Sequence, residues 1–357
     1  MSNSRINALR KKISSENLDG LVINHLDYIR YLTGFTGTAG LLIVLKNSAY
    51  FFTDSRYTIQ AGKQVKGARV ETVPSEPISS LNGYKWLHKK NLRLGFDGEH
   101  LSVAKQKLLK EKVPEVLLTP GEALFEDLGW VKDSAEIASI RKAVKIADVA
   151  FGRILQLIEP GIRERELAAE LEYQMAMQGS EKPAFESIVA SGYRSALPHG
   201  IASSKKVEKG DFVTFDFGAT VNGYVSDITR TVVVGKATSR QRKIYNIVLR
   251  SQKAGIKAVK AGRECKKVDD ACRNIIKRAG YGKNFGHGTG HGIGFYIHVG
   301  PRIGPRSNDK LAVNHIVTIE PGLYIPKWGG VRIEDDVLVT KRGGEVLNRA
   351  PKNLLEL

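Results

Sequence analysis

The feature that most constrains this chain is a glycine-rich stretch at residues 285–294, which holds two histidines, His287 and His291, four residues apart. Glycine at this density costs conformational entropy on folding and is tolerated where the backbone must approach another group closely. Imidazole is the commonest side-chain metal ligand and also the usual acid–base group near neutral pH. The stretch alone is equally compatible with a loop whose histidines only form hydrogen bonds, so partners must be sought elsewhere.

A predicted β-hairpin supplies two carboxylates. Asn222-Gly223 between two β-rich runs is the strongest short-range signal for a two-residue hairpin turn. Such a turn places Gly218 opposite Asp227, with Asp216 two positions further along on the same face. Diagonal neighbours across two strands lie about 7–8 Å apart, so the two side chains can converge. Because converging buried acids repel each other, the shared face predicts a metal site or a coupled acid pair.

A second predicted hairpin supplies two more carboxylates. The strand 316–320 ends at Glu320, and a return strand over 329–337 carries Arg332 and Glu334 on one face. Surface glutamates are common, so this pair alone also fits a solvent-facing interpretation. Two Asp, two Glu and one His together suit two divalent metals bridged by carboxylates. An oxygen-rich shell with one imidazole favours manganese or cobalt over a thiolate zinc site.

Hydrophobic periodicity predicts an α/β domain followed by a second domain, with a break near Thr119-Pro120-Gly121. Asp133 and Glu136 form a capping-box pattern that starts a long helix. The predicted helices cover residues 4–17, 133–158, 164–178, 238–261 and 266–279, with helix-like segments at 55–67, 76–90 and 102–112. The predicted strands of the first domain cover residues 21–23, 40–45, 49–53, 68–72 and 92–96.

Taken together, these segments resemble the metal-dependent Xaa-Pro peptidases: aminopeptidase P and Xaa-Pro dipeptidase (prolidase). The resemblance covers nearly the whole chain, including Tyr31-Leu-Thr-Gly-Phe-Thr-Gly and Phe52-Thr-Asp-Ser-Arg near the N-terminus. It implies a creatinase-like α/β domain over residues 1–122. It also implies a pita-bread catalytic domain over residues 123–357, with a curved, mostly antiparallel sheet flanked by helices.

The resemblance also implies roles for individual residues. The metal ligands would be Asp216, Asp227, His291, Glu320 and Glu334. Asp227 and Glu334 would bridge two divalent ions. These ions would most often be Mn, with Co or Zn as alternatives. Glu320 would also relay a proton while a metal-bridging hydroxide attacks. His199 and His298 would hold the scissile carbonyl and the oxyanion, and Arg332 would fix the geometry beside Glu334. His287 would support the site without binding metal, and the glycines would let metal and substrate reach His291.

The family pattern predicts an enzyme that acts on small peptides with proline in second position and forms a homodimer. Strict dipeptidase and longer-peptide aminopeptidase activity both remain open. Tyr296 and Val299 depart from the family pattern beside the second histidine and are expected to border the pocket. A rival hypothesis is a non-catalytic relative that binds a partner, such as nucleic acid. Five intact ligand positions disfavour that hypothesis.

The net charge of +18 raises the question of anionic partners. Residues 1–120 carry 18 basic and 10 acidic residues, and no basic run of five or more occurs. We therefore expect a diffusely basic surface, with neither nucleic acid nor a membrane as partner. Cys265 and Cys272 lie seven apart, as on one helix face, and are expected to be buried free thiols. The polar N-terminus and the lack of long apolar runs predict a cytoplasmic protein.

Overall fold

The computed structural model describes residues 2–121, 124, 125 and 127–357. The chain divides into two compact units, Met1–Leu128 and Gly129–Leu357. The predicted domain boundary, between residues 122 and 123, lies outside the described residues. No helix in the described part of the chain combines the length and apolar character needed to cross a membrane.

The first unit is built on a mixed six-stranded sheet. Its strands are β1 (Gly20–Ile23), β2 (Leu41–Leu45), β3 (Ala49–Asp54), β4 (Arg69–Val73), β5 (Arg93–Phe96) and β6 (Leu117–Pro120), in the order β4-β3-β2-β1-β5-β6. The pairs β1–β2 and β2–β3 are antiparallel, and the remaining three pairs are parallel. Apolar runs bounded by turn residues predict five of these strands. The sixth, β6, is short and largely exposed, and apolar patterning misses it.

Among its described residues the first unit contains four α-helices: α1 (Ser2–Ser15), α2 (Leu26–Thr33), α3 (Thr58–Gln64) and α4 (Val103–Lys112). The predicted amphipathic face of α1 is confirmed, since Ile6, Leu9 and Ile13 are all buried. The prediction for residues 76–90 is wrong in detail, because this segment forms short 3-10 turns. The sequence pattern missed α2, which is only eight residues long.

The second unit contains four longer helices: α5 (Ser134–Ile154), α6 (Glu164–Met177), α7 (Ser239–Ala258) and α8 (Cys265–Arg278). The capping box that starts α5 is confirmed. The Asp133 carboxylate accepts hydrogen bonds from the backbone N–H groups of Ala135 and Glu136, and the Glu136 carboxylate accepts one from the N–H of Asp133. Cys265 and Cys272 are buried free thiols on α8, as predicted.

The sheets of the second unit are antiparallel throughout their paired strands. Their strands are β7 (Ile188–Ser191), β8 (Phe212–Phe217), β9 (Thr220–Val221), β10 (Tyr224–Val225), β11 (Ile228–Val233), β12 (Gly290–Gly292), β13 (Val299–Ile303), β14 (Ile316–Ile319), β15 (Gly322–Ile325), β16 (Gly329–Arg332), β17 (Asp335–Val339) and β18 (Gly344–Val346). The two larger sheets have the orders β11-β8-β7 and β13-β12-β14-β17-β18. The pairs β9–β10 and β15–β16 form separate two-stranded ribbons. The prediction of a mostly antiparallel sheet flanked by helices is confirmed.

The first predicted hairpin exists and keeps one register along its whole length. Val221 pairs with Tyr224 at the turn, and Asp216 pairs with Thr229 further down, so the paired numbers sum to 445 in both segments. Between them the ladder is interrupted at Gly218 and Asp227. A Cβ atom on Gly218 would lie 1.8 Å from the carbonyl oxygen of Ser226. Glycine is therefore required at this bend, and the bend places Asp227 between two sheets.

The second predicted hairpin has the same construction. Ile319 pairs with Asp335 in the five-stranded sheet, and Gly322 pairs with Arg332 in the ribbon, again in a single register. Glu320 and Glu334 occupy the gap between these two paired segments. A carboxylate at a strand interruption does not have paired strand residues on both sides. Its side chain can therefore contribute to a functional site. The two bends bring acids from both hairpins to one region.

Candidate metal centre

A cavity of about 850 Å³ opens where the two bent hairpins meet. All the residues predicted for the site contribute to its lining: His199, Asp216, Asp227, His287, His291, His298, Glu320, Arg332 and Glu334. Tyr296 and Val299 do not line it, so the expectation that they border the pocket is wrong. Their neighbours Ile297 and His298 line the cavity instead.

The closest cluster of donor atoms comes from Asp227, His291 and Glu334, whose ligand atoms all lie within 4.8 Å of one another. The Nε2 atom of His291 is 3.6 Å from Asp227 Oδ2 and 3.3 Å from Glu320 Oε1. Asp216 shares the cavity but forms an ion pair with the guanidinium of Arg332. Three of the four predicted carboxylate ligands therefore lie close to the His291 imidazole, and the fourth, Asp216, is held in the same cavity by Arg332.

The electrostatics of these acids favour a cation among them. Burial raises the pKa of Asp227 and Glu334 well above the usual range, and the negative charges of neighbouring carboxylates raise it further. Burial also raises the pKa of Glu320 to about 8. In the described part of the chain, Asp227 Oδ1 is a buried atom that has no hydrogen-bond partner. An orphaned carboxylate oxygen among buried acids is costly, and the donor set fits hard divalent cations.

His291 is suited to bind metal because it is neutral. Burial lowers its pKa to about 3, and neutral imidazole is the form that coordinates cations. Its Nδ1 atom lies 3.1 Å from the carbonyl oxygen of Gly292. A proton on Nδ1 would donate to that carbonyl and leave Nε2 free to face the carboxylates. The ring of His298 lies 4.4 Å away, centroid to centroid.

Two glycines of the opening stretch are required by close packing against neighbouring strands. A Cβ atom on Gly290 would lie 2.0 Å from the carbonyl oxygen of Thr318, and one on Gly292 would lie 2.1 Å from that of Gly300. Both contacts are to the backbone of neighbouring strands β14 and β13. Glycine at these two positions therefore allows β12 to pack into its sheet. Gly286, Gly288 and Gly290 also line the cavity, and the expectation that the glycines give metal and substrate access to His291 stays a prediction.

A hydrogen-bond network behind the ligands includes residues that sequence reasoning missed. The Thr229 hydroxyl donates to Glu334 Oε2 at 2.6 Å and accepts from Arg332 Nε at 3.0 Å. Tyr324 accepts from Arg332 Nη1 at 2.8 Å, and its hydroxyl lies 3.0 Å from His287 Nε2. Thr229 could have been found, since it lies two residues after Asp227 and shares its face. Nothing in the local sequence identifies Tyr324.

Two residues of helix α8 that sequence reasoning also missed, Asp269 and Arg273, bind the glycine-rich stretch. Arg273 forms a two-pronged ion pair with Asp269, at 2.7 and 2.8 Å. The same guanidinium donates to the backbone carbonyls of Phe285 and His287. Asp269 also accepts from the Thr289 hydroxyl at 2.8 Å. The carbonyl of Thr289 in turn accepts from the N–H of Glu320, so this network reaches a candidate ligand.

Comparisons with known proteins agree with this chemistry. Residues 138–341 match metallopeptidase family M24, and residues 5–128 match the creatinase/prolidase N-terminal domain. The chain belongs to metallopeptidase family M24. Its predicted membership and its predicted creatinase-like and pita-bread fold are confirmed.

Individual relatives in the M24 family are similar over their full length. The Xaa-Pro dipeptidase of Pyrococcus horikoshii is 39% identical over 99% of both chains. A solved structure named Xaa-Pro dipeptidase from Bacillus anthracis superposes with a TM-score of 0.96 at 43% identity, covering 100% of both chains. A structure named X-Pro aminopeptidase from Thermotoga maritima has a TM-score of 0.89 at 36% identity, covering 99% of both chains.

Proposed function

We propose that this M24 metallopeptidase holds two divalent metal ions and hydrolyses the bond before proline in Xaa-Pro dipeptides. The observation that carries the proposal is the cluster of Asp227, His291 and Glu334 ligand atoms within 4.8 Å of one another. The orphaned Asp227 oxygen adds support. The names of the relatives, which include Xaa-Pro dipeptidase and X-Pro aminopeptidase, support the substrate class.

In this proposal the metals are held by the five predicted ligands, Asp216, Asp227, His291, Glu320 and Glu334. Manganese suits the oxygen-rich donor set best. When bound, the two ions would supply a nucleophile from water at neutral pH and stabilise negative charge on the reacting carbonyl. Arg332 would keep Asp216 in position, and Thr229 would do the same for Glu334. The homodimer inferred from family resemblance stays a prediction.

The remaining polar groups of the cavity would act on the substrate directly. His298 lies next to His291, and burial lowers the pKa of His298. A neutral imidazole can donate one N–H to the scissile carbonyl oxygen as its charge develops. His199 lines the same cavity from an exposed turn. Glu320 lies 3.3 Å from His291, and in this proposal it would carry a proton to the leaving nitrogen.

The cavity wall offers complementary contacts to proline and to a free carboxylate. Its apolar lining suits a pyrrolidine ring: Phe185, Ile188, Pro198, Ile201, Ile297, Ile303 and Pro305. Arg302 also lines it. Burial lowers the pKa of both His291 and His298, and the positive charge of Arg302 lowers it further. An arginine so close to the reacting groups favours a substrate with a nearby carboxylate. We therefore favour dipeptides over longer peptides.

The test compares turnover of Xaa-Pro with turnover of Xaa-Pro-Yaa by the manganese-loaded enzyme. We expect the wild-type enzyme to cleave the dipeptide faster. Arg302→Met should raise KM for the dipeptide by about tenfold or more, because a hydrogen bond to a charged group contributes about 1.5–3 kcal/mol. Lys310→Met, an exposed cation outside the cavity, should leave KM unchanged. Equal turnover of both substrates would exclude strict dipeptidase activity, and no cleavage before proline would exclude the proposed function.

A further inference from the structure

The positive charge of this protein is concentrated on one helical pair. Residues 236–283, which contain α7 and α8, hold 15 Lys and Arg but only 3 Asp and Glu. Twelve of the eighteen surplus positive charges therefore lie within these 48 residues. The expectation of a diffusely basic surface does not hold for this segment.

Nearly all of these cations face solvent. The two helices pack against each other and turn their apolar sides into the core of the second unit, as the buried residues Ile244, Val248, Cys272 and Ile276 show. The exposed cations of the segment are Lys236, Arg240, Arg242, Lys243, Arg250, Lys253, Lys257, Lys260, Arg263, Lys266, Lys267, Lys277, Arg278 and Lys283. We call these fourteen residues the basic face.

The basic face has few acidic partners of its own. Within the described residues, Arg242 is its only member with an ion pair, to Glu356. Asp269 is buried and is already paired with Arg273, which is not part of the face. Unneutralised cations so close together repel one another. Their mutual repulsion is relieved when an anionic surface lies against them.

The arrangement along α7 matches an extended anion. Lys243, Arg250, Lys253 and Lys257 recur at intervals of seven, three and four, which places them on one side of the helix. At 1.5 Å per residue this stripe is about 21 Å long. A DNA duplex presents one phosphate charge per about 1.7 Å of its axis. Several phosphates can therefore contact the stripe at once.

The content of exposed apolar residues on the basic face distinguishes between a nucleic acid and a membrane as its partner. A helix that binds a lipid surface presents large apolar residues to the acyl boundary beside its cations. Residues 236–283 contribute none of the large hydrophobic residues that are exposed in the described chain. We propose that the basic face is a nucleic-acid-binding surface that contacts the phosphate backbone without base specificity. This surface is separate from the peptidase cavity and goes beyond the proposed function.

The experiment measures binding of the full-length, manganese-loaded protein to a labelled random-sequence DNA duplex by fluorescence anisotropy. We expect a Kd of about 10⁻⁴ to 10⁻⁶ M at physiological salt, with steep weakening between about 50 and about 200 mM salt. The triple variant Lys253→Glu, Lys257→Glu and Lys267→Glu should lose at least about tenfold in affinity. It should also lower the salt slope by about 3, since each phosphate contact accounts for about 1.

The matched control reverses three exposed lysines on α4 of the first unit: Lys105→Glu, Lys107→Glu and Lys110→Glu. This control changes the net charge by the same amount as the first triple variant and should keep wild-type affinity for DNA. Both triple variants should keep wild-type peptidase activity, which would show that they fold. Corresponding Lys→Gln variants repeat the comparison if charge reversal prevents folding. Equal loss in both triples, or no duplex binding at about 50 mM salt, would overturn the proposal. So would equally tight binding of polyglutamate or of phosphatidylserine vesicles.

Discussion

Glu320 and Glu334 lie opposite each other at the one interruption of a long β-hairpin, between the pairs Ile319–Asp335 and Gly322–Arg332. Burial raises the pKa of Glu334 well above its usual range and the negative charge of Glu320 raises it further, so a cation beside this pair would stabilise the charged carboxylates. In the first hairpin the ladder breaks where Gly218 lies opposite Asp227, and Asp216 lies two residues before Gly218 on the adjoining strand β8. Two bends of similar construction therefore assemble the candidate metal centre.

The hydroxyl of Thr229 is predicted to orient Glu334 and Arg332 together. Thr229→Val keeps the shape but leaves a buried carboxylate oxygen and a guanidinium N–H without this partner. Metal affinity, measured by titration of the chelator-treated protein, should fall about 10- to 100-fold. The same substitution at Thr220 is the control, because its buried hydroxyl has no hydrogen-bond partner in the described chain. An equal effect at both positions would show that Thr229 has no special role.

The Asp269–Arg273 ion pair is predicted to position the glycine-rich stretch. Arg273→Met removes the bonds to the carbonyls of Phe285 and His287, so kcat/KM on a dipeptide should fall at least about tenfold. Asp270→Asn, on the same helix, should leave kcat/KM unchanged. Wild-type kinetics in Arg273→Met would contradict a positioning role.

Gly290→Ala is predicted to destabilise the fold, because the added methyl would lie 2.0 Å from the Thr318 carbonyl oxygen. Overpacking of this kind costs about 1–3 kcal/mol, which chemical denaturation would detect. Gly286→Ala lies in open space and should change the free energy of unfolding little. If both variants were equally stable, close packing of β12 against β14 would not explain the glycine.

Lys132 gives a pH-dependent prediction away from the metal centre. Burial lowers the pKa of its amino group to about 7, and Nζ donates to the Trp130 carbonyl. In the unfolded chain the Lys132 amino group keeps its proton up to about pH 10.5. Between about pH 7 and 10.5 the native state therefore binds fewer protons than the unfolded state. The free energy of unfolding consequently rises with pH in this range. Lys132→Met should therefore stabilise the protein most at pH 7 and progressively less towards pH 10.5. Lys142→Met, an exposed control, should show no such trend.

The sequence predicted the two hairpins well because their determinants are local. Asn222-Gly223 defines one turn, and alternation then fixes which side Asp216 and Asp227 share. The interruptions at Gly218 and at Glu320 are not local. They depend on contacts such as that between Gly218 and the Ser226 carbonyl, which exist only in the folded hairpin. Roles of Tyr324 and Asp269 were missed for the same reason, since each acts across a large sequence separation.

The glycine-rich stretch shows the same limit in a different form. Its composition indicated close backbone approach but not the approaching group. In the structure, the backbone of neighbouring strands approaches Gly290 and Gly292. The stretch is also bound by Arg273 of helix α8, which donates to the carbonyls of Phe285 and His287. Family resemblance located His291 and His298, but it pointed to Tyr296 and Val299 as pocket residues, which they are not.

Metal content measured together with dipeptide hydrolysis tests the proposed centre most directly. The wild-type protein and Glu345→Gln, whose carboxylate is an exposed partner of Arg141, should each bind two divalent ions per chain and cleave Xaa-Pro. Asp227→Asn should bind fewer ions and lose more than about a hundredfold in activity, beyond the range for residues that only support ligands. An Asp227→Asn protein with two bound ions and wild-type turnover would contradict the proposed site.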